Sequence, residues 1–177
     1  MNIDLTGVTV PDLIDMLRIL KGADNVLLDV HNVIGPAVAA SDDSRIVESL
    51  GQAGALLLQH AQQLDGELAE VRARIQRGEK SDLTWLDCQV EIGGPAVDLA
   101  ALDPCLVANL VKIETDLAAD RAQASQQMFK SALASEPGQD RADIVNAWST
   151  RQNELSAIAT SEAVRIITGR PAGSPLN

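Results

Sequence analysis

A chain of 177 residues is long enough for one domain with a substantial core. Its 14 basic and 25 acidic residues give a net charge of −11, a field that repels phosphate backbones and anionic headgroups and so argues against a nucleic-acid partner. Aromatic residues make up only 2 % (Phe129, Trp85 and Trp148), so any core is aliphatic, and sites that stack bases, sugars or flavins on rings are poorly supplied.

The sequence predicts four helical segments, at about residues 11–40, 43–77, 104–135 and 140–168. In the first, Pro11 and Asp12 suit a first turn, and Leu13, Ile14, Leu17 and Leu20 form one face. Gly22 is a stop signal. The face resumes after Asp24 with Val26, Leu27, Val30, Val33 and Ile34, and Gly35-Pro36 is expected to break or kink it.

The second segment carries the strongest pattern. Val47, Leu50, Gly54, Leu57, Ala61, Leu64, Leu68, Val71 and Ile75 recur by threes and fours, as in the a/d seam of a coiled coil. Gly54 and Ala61 are small enough to let another helix approach. Glu67, Arg72 and Arg74 flank the later seam, where interhelical ion pairs form. His60 lies beside the seam, placed to pack its ring against a neighbouring helix.

From 78 to 103 the period changes. Leu86, Cys88, Val90 and Ile92 alternate with polar residues as a half-buried strand does, and Gly93-Gly94-Pro95 ends it. Residues 3–10 also alternate, so a short ribbon pairing 3–10 with 86–92 is expected at one end of the bundle, with Trp85 covering that end. Asp103-Pro104 opens the third helix as cap and N1 proline, followed by the face Leu106, Leu110, Ile113, Leu117, Ala124 and Met128. Glu114, Asp116 and Asp120 fall around what should be its solvated side. Ser135-Glu136-Pro137-Gly138 is a turn, and the last helix uses Ile144, Trp148, Leu155, Ile158 and Ile166, so the final two helices form an antiparallel hairpin. The expected fold is an all-α, up-and-down bundle with coiled-coil-like packing, one helical domain over 1–170 with a flexible tail at 171–177.

Chemistry is sparse. No Glu-x-x-His pair, H-E-x-x-H, Gly-rich phosphate loop or G-x-S-x-G occurs, so no catalytic, cofactor-binding or metal residues are assigned. Cys88 and Cys105 have no second pair with which to form a metal site, and read as core thiols of a reducing compartment. The start Met1-Asn2-Ile3-Asp4 lacks a basic and apolar leader, and no run of about eighteen apolar residues occurs. The expectation is a cytoplasmic protein without a transmembrane segment, with secretion lacking a cleaved signal left open.

His31-Asn32-Val33-Ile34-Gly35-Pro36 resembles the phosphoacceptor box of sensor histidine kinases, in which a helical histidine is followed five residues on by proline. The resemblance implies that His31 accepts a phosphoryl group. The chain departs from that box at Asn32, where an acidic residue is usual, and at Ile34, where a basic one is.

The functional expectation is a non-enzymatic interaction or assembly protein (scaffold, adaptor, chaperone or subunit of a larger complex). It would bind a protein partner or itself through the helix–helix interface Val47, Leu50, Leu57, Ala61, Leu64, Leu68, Val71 and Ile75. The alternative is a regulatory helical domain, either a phosphotransfer hairpin using His31 or a four-helix sensor holding a small-molecule ligand between its helices. A polar, ligand-sized gap in the interior would favour the sensor.

Overall fold

A computed structural model describes residues 8–22, 24–40, 42–84, 86–92, 96–136 and 139–169. The tail at 171–177, Trp85, the Gly93-Gly94-Pro95 turn, Pro137-Gly138 and residues 3–7 of the expected ribbon lie outside them. The described residues form α1 (Val10–Gly22), α2 (Asp24–Ala39), α3 (Asp43–Gln76), β1 (Gln89–Glu91), β2 (Ala96–Asp98), α4 (Pro104–Ala134) and α5 (Gln139–Thr168). This is the expected all-α bundle with a short ribbon. The ribbon's partner differs from expectation: β1 pairs antiparallel with β2, Val90 opposite Val97. Val8 and Thr9 are not strand and Val10 already opens α1. Leu86 is exposed in a 3-10 turn, whereas Val90 and Ile92 are buried as their alternation implies.

Local chemistry accounts for the helix ends. Thr9 caps α1: its carbonyl accepts from Leu13 N at 3.0 Å, while the Asp12 carboxylate accepts from Thr9 N at 3.0 Å and Thr9 Oγ1 at 2.5 Å. This is the reciprocal half of a capping box, with aspartate in the place usual for glutamate and the threonine hydroxyl donating to it as well. Thr84 and Asp87 repeat the motif ahead of the 3-10 turn. Asp42 caps α3 through Arg45 N and Asp103 caps α4 through Cys105 N. At the far end of α3, Gly78 has φ +69°, Gly78 N donates to Ile75 O, and Glu79 N donates to Arg74 O. That is a Schellman stop, which needs the left-handed conformation glycine adopts without strain. Gly35-Pro36 does not break α2, which runs on to Ala39. Pro36 deprives the Asn32 carbonyl of a donor, but both residues face water, which supplies one.

Two aliphatic cores divide the bundle along its length. In the first, Leu68 and Val71 of α3 pack with Leu13, Ile14, Met16, Leu17 and Leu20 of α1, the first half of α4, the second half of α5, and Val90, Ile92 and Leu99. In the second, Ile46, Leu50 and Ala53 of α3 pack with Val30, Ile34 and Ala37 of α2, Met128 and Ala132 of α4, and Ala142, Val145 and Trp148 of α5. The opposite halves of successive helices share a core, so α1–α2, α3, α4 and α5 run up, down, up and down. The connection at 77–103 closes the end of the first core.

The α3 stripe departs from the heptad expectation in register. Val47 is 40 % exposed and Ile46 takes its place at 1 %; Ala53, not Gly54, is buried. On α5, Ile158 is likewise exposed and Ala159 buried. On α5 alanine occupies the line of closest approach because it allows the backbones to come together, and the larger Ile158 is turned outward; on α3 the stripe is rotated by one residue, and the larger of each pair is buried.

An arginine anchors each end of α3. At one, Arg74 Nη2 meets Asp12 at 3.2 Å and Asp15 at 2.5 Å on α1. At the other, Arg141 Nη1 meets both oxygens of Asp43 at 2.7 Å, while its Nε and Nη2 donate to Ala132 O and Ser135 O at the end of α4. Arg141 thus satisfies helix-terminal carbonyls and an ion pair while 7 % exposed.

Three stability outcomes follow from this packing, readable by urea unfolding. Leu68→Ala should cost about 2–5 kcal/mol, whereas Val47→Ala should stay within about 0.5 kcal/mol. A large loss at Val47 would restore the unshifted seam. Gly66→Ala should stabilise by about 0.5–1 kcal/mol, because Gly66 is helical and an added Cβ meets nothing within 4 Å.

Asp12 carries a pH dependence. Burial pushes its carboxyl up, but hydrogen bonds from Thr9 and the Arg74 guanidinium outweigh this and hold it below the usual carboxylate range. The folded pKa lies below the unfolded value of about 3.9, so this stabilisation is complete above that value and is lost as pH falls through it. Wild-type stability should therefore drop below about pH 4, and Asp12→Asn should lower stability at pH 7 by about 1–3 kcal/mol while flattening the acid drop. Parallel acid profiles for the two proteins would remove Asp12 from the account.

Candidate functional site

The eight interface residues expected on α3 separate into three groups. Leu50, Leu68 and Val71 are buried inside the chain, and Ile75 is half-buried against the first core. Val47 is exposed outside the stripe. Leu57 and Leu64 are half-buried and Ala61 is exposed, and these three line an open groove at the waist of the bundle.

The groove measures about 650 Å³. Its α3 wall is Gly54, Leu57, Leu58, His60, Ala61 and Leu64, and its α4 wall runs from Glu114 through Leu117 and Ala118 to Phe129. Leu20, Val26 and Leu27, from either side of the junction between α1 and α2, close one edge. Gly54 was expected to admit a helix. What meets it is the Phe129 ring, 3.9 Å from where a Cβ would stand, an ordinary contact. The small residues of the seam therefore leave space and do not seat a neighbouring backbone.

A polar compartment of about 440 Å³ adjoins the groove between α1, α2 and α3, lined by Asp15, Arg18, Asp29, Gln63 and Glu67 among others. Val26, His60 and Leu64 line both spaces and form the sill between them. His60 flanks the seam as expected, and its Nε2 is buried with no hydrogen-bond partner among the described residues. Glu114 departs from the solvated role expected of it: its side chain is 12 % exposed and pairs with Lys21 at 3.2 Å, whereas Asp116 and Asp120 are exposed.

Behind the groove, a polar seam crosses the α4–α5 interface. Trp148, in the core as expected, donates from Nε1 to Ser125 Oγ at 3.1 Å. Gln152 Nε2 reaches the same hydroxyl and Arg121 O, both at 3.4 Å. Arg121 Nη2 donates to Ser156 Oγ, which donates to Gln152 O. Gln152 is 5 % exposed and its Oε1 has no partner among the described residues. The sequence held a signal for this: Gln152 falls between Trp148 and Leu155 on the apolar stripe of α5, where a polar side chain must be buried.

His31 is exposed on α2, with no hydrogen bond or ion pair to a described residue. Gly35, one turn on, leaves its Nε2 clear: an added Cβ there would lie 3.8 Å from it. The cysteines are free. Cys105 is exposed, contrary to its reading as a core thiol, because the N-terminal turn of α4 points it outward. Cys88 is half-buried, and burial together with Asp98 and Asp87 pushes its thiol up, which disfavours the thiolate. Among the described residues, no three His, Cys, Asp or Glu side chains are grouped as metal ligands, and no helix is long and apolar enough to cross a membrane. Comparison with known protein families, with curated proteins and with solved structures finds no match for this chain.

Proposed function

We propose that this chain is a non-enzymatic binding module and that the waist groove between α3 and α4 receives a small, largely apolar ligand. The supporting observation is the groove itself: about 650 Å³, walled largely by aliphatic side chains, with Glu114, Arg121, Gln123, Ser125 and Gln126 contributing polar groups from α4. Ligand sites are usually apolar hollows of about 300–1,000 Å³ with a few polar groups to fix orientation. The expected assembly role through the whole seam has less support, because most of that seam is consumed within the chain. Its open stretch, Gly54 to Leu64, spans about 15 Å, too short for a coiled-coil zipper.

Assembly has its own supporting observation elsewhere on α3. Val47 and Leu58 are exposed and eleven residues apart, about three turns, which puts them on one side of the helix. A second copy meeting that side would use it.

For His31, phosphotransfer has an accessible ring in its favour. The carboxylate that would orient the imidazole is absent among the described residues. Equal labelling of wild type and His31→Ala by acetyl phosphate is expected; labelling that depends on His31 would reinstate the phosphotransfer reading.

The groove is tested with a neutral apolar fluorophore such as N-phenyl-1-naphthylamine. Saturable one-to-one binding is expected, with a loss of at least tenfold in affinity on Ala61→Trp, which fills the hollow from an exposed position. Light scattering over a concentration range should find a monomer throughout. No saturable binding, or a dimer that disappears in Val47→Asp, a position outside the groove, would move the function from the groove to the outer face of α3.

A further inference from the structure

The two long walls of the groove share a property beyond their apolar surface: they are nearly free of charge. In a chain of which 22 % is charged, no Asp, Glu, Lys or Arg occurs across the sixteen residues Ser49 to Leu64 of α3, nor from Ala122 to Phe129 of α4. Charge returns immediately outside both stretches, at Glu48 and Asp65 on α3 and at Arg121 and Lys130 on α4. The α3 wall lies wholly within the first stretch. Among the described residues that line the groove, Glu114 and Arg121 alone carry a full charge. Both are engaged inside the chain: Glu114 pairs with Lys21 at 3.2 Å, and Arg121 Nη2 donates to Ser156 Oγ across the α4–α5 interface. The α4 wall adds two neutral amides, Gln123 and Gln126, which are exposed, line the groove and stand three residues apart as neighbours on the helix surface.

Resting on the reading that the groove takes a small ligand, we propose that the ligand is an uncharged amphiphile, an aliphatic chain ending in a hydroxyl or carboxamide. The chain lies along Leu57, Leu64 and Leu117, and the head lies at Gln123 and Gln126. An amide side chain offers both donors and an acceptor, so the pair can satisfy a hydroxyl in both its roles. Charged heads fail for separate reasons. An ammonium would have to take Glu114 from Lys21, and it would share the groove with the Arg121 guanidinium. A carboxylate would have to draw Arg121 from Ser156 and enter a protein of net charge −11. Either ion would also exchange its hydration for aliphatic walls, and burying a charge without a partner costs far more than burying a hydrogen-bonded hydroxyl.

The full chain is titrated at pH 7 with n-decanol, n-decanoate and n-decylammonium, each below its solubility or micellar limit. Binding is read by calorimetry and by displacement of N-phenyl-1-naphthylamine. Decanol should displace the fluorophore and bind at least tenfold more tightly than either ion. Gln126→Lys places a cation at the head, so it should tighten decanoate at least tenfold relative to decanol. Gln127→Lys changes the net charge equally from an exposed position outside the lining, and should leave the order as it was. Unchanged circular dichroism is the folding control for both. An ion that binds as tightly as decanol overturns the uncharged assignment, and so does a Gln126→Lys effect no larger than that of Gln127→Lys. Failure of all three compounds while the fluorophore still binds also overturns it, and in each of these cases the groove reading stands. Failure of the fluorophore as well overturns both.

Discussion

The structure depends on how one long helix is covered by two short ones. α3 has 34 residues, and its partners on one side, α1 and α2, have 13 and 16. A single unbroken helix could shield the α3 stripe from end to end. The interruption after Gly22 instead gives α1 the C-terminal half of α3 and α2 the N-terminal half, so two cores form, with half-buried Ala124 packed against both. Leu20, Val26 and Leu27 bracket the interruption and line the groove, so the opening lies at the level of the break. Lys21, in the last turn of α1, suits the negative end of the helix dipole and ties that end to Glu114 of α4. The junction is thus fastened to α4 at one point while α3 and α4 stay apart beside it.

The α4–α5 hairpin is built on a different principle. Alanines at 132, 142, 159 and 163 let the helices approach closely, and aliphatic contacts of that kind tolerate sliding. The Trp148–Ser125–Gln152 hydrogen bonds do not: moving α5 by one residue would leave an indole N–H and an amide buried without partners, at a cost of about 1–3 kcal/mol each. Arg141 fixes the same register from the turn by holding Ala132 O and Ser135 O. The register of α4 against α5 is therefore set by hydrogen bonds, whereas α3 and α4 face each other across the groove.

Helix boundaries were legible in the sequence wherever local chemistry sets them. Gly22 ended α1 and Asp103-Pro104 opened α4 as read, and the apolar faces of α1 and α4 fell where their spacing put them. The errors came from interactions that are not local. The three-and-four spacing fitted Val47 and Ile158 as well as Ile46 and Ala159; which neighbour is buried depends on the rotation of the helix toward the facing one, and periodicity does not encode that. Pro36 was expected to break or kink its helix because its exposure could not be known. The ribbon was given a partner from the far N-terminus, whereas a connection of only four residues between Glu91 and Ala96 has the lower closure entropy. Half of the groove was visible in its small residues. The other half, the withdrawal of α4 from α3, was not.

The small residues show that the opening is written into α3. Gly54 and Ala61 interrupt the line Leu50, Leu57, Leu64 and Leu68 at two of the four heptad places that line the hollow. Gly54 is helical, and the nearest atom to its missing Cβ is an ordinary 3.9 Å away, so neither conformation nor crowding demands glycine there. Glycine inside a helix costs about 1 kcal/mol relative to alanine, and an alanine Cβ at 54 would make only an ordinary contact with Phe129. A sequence shaped by stability alone would carry alanine there. A ligand at a hundred times its Kd would return about 2.7 kcal/mol to the folded state, more than that cost. With the proposed ligand in place, the waist would be where occupancy and stability are coupled.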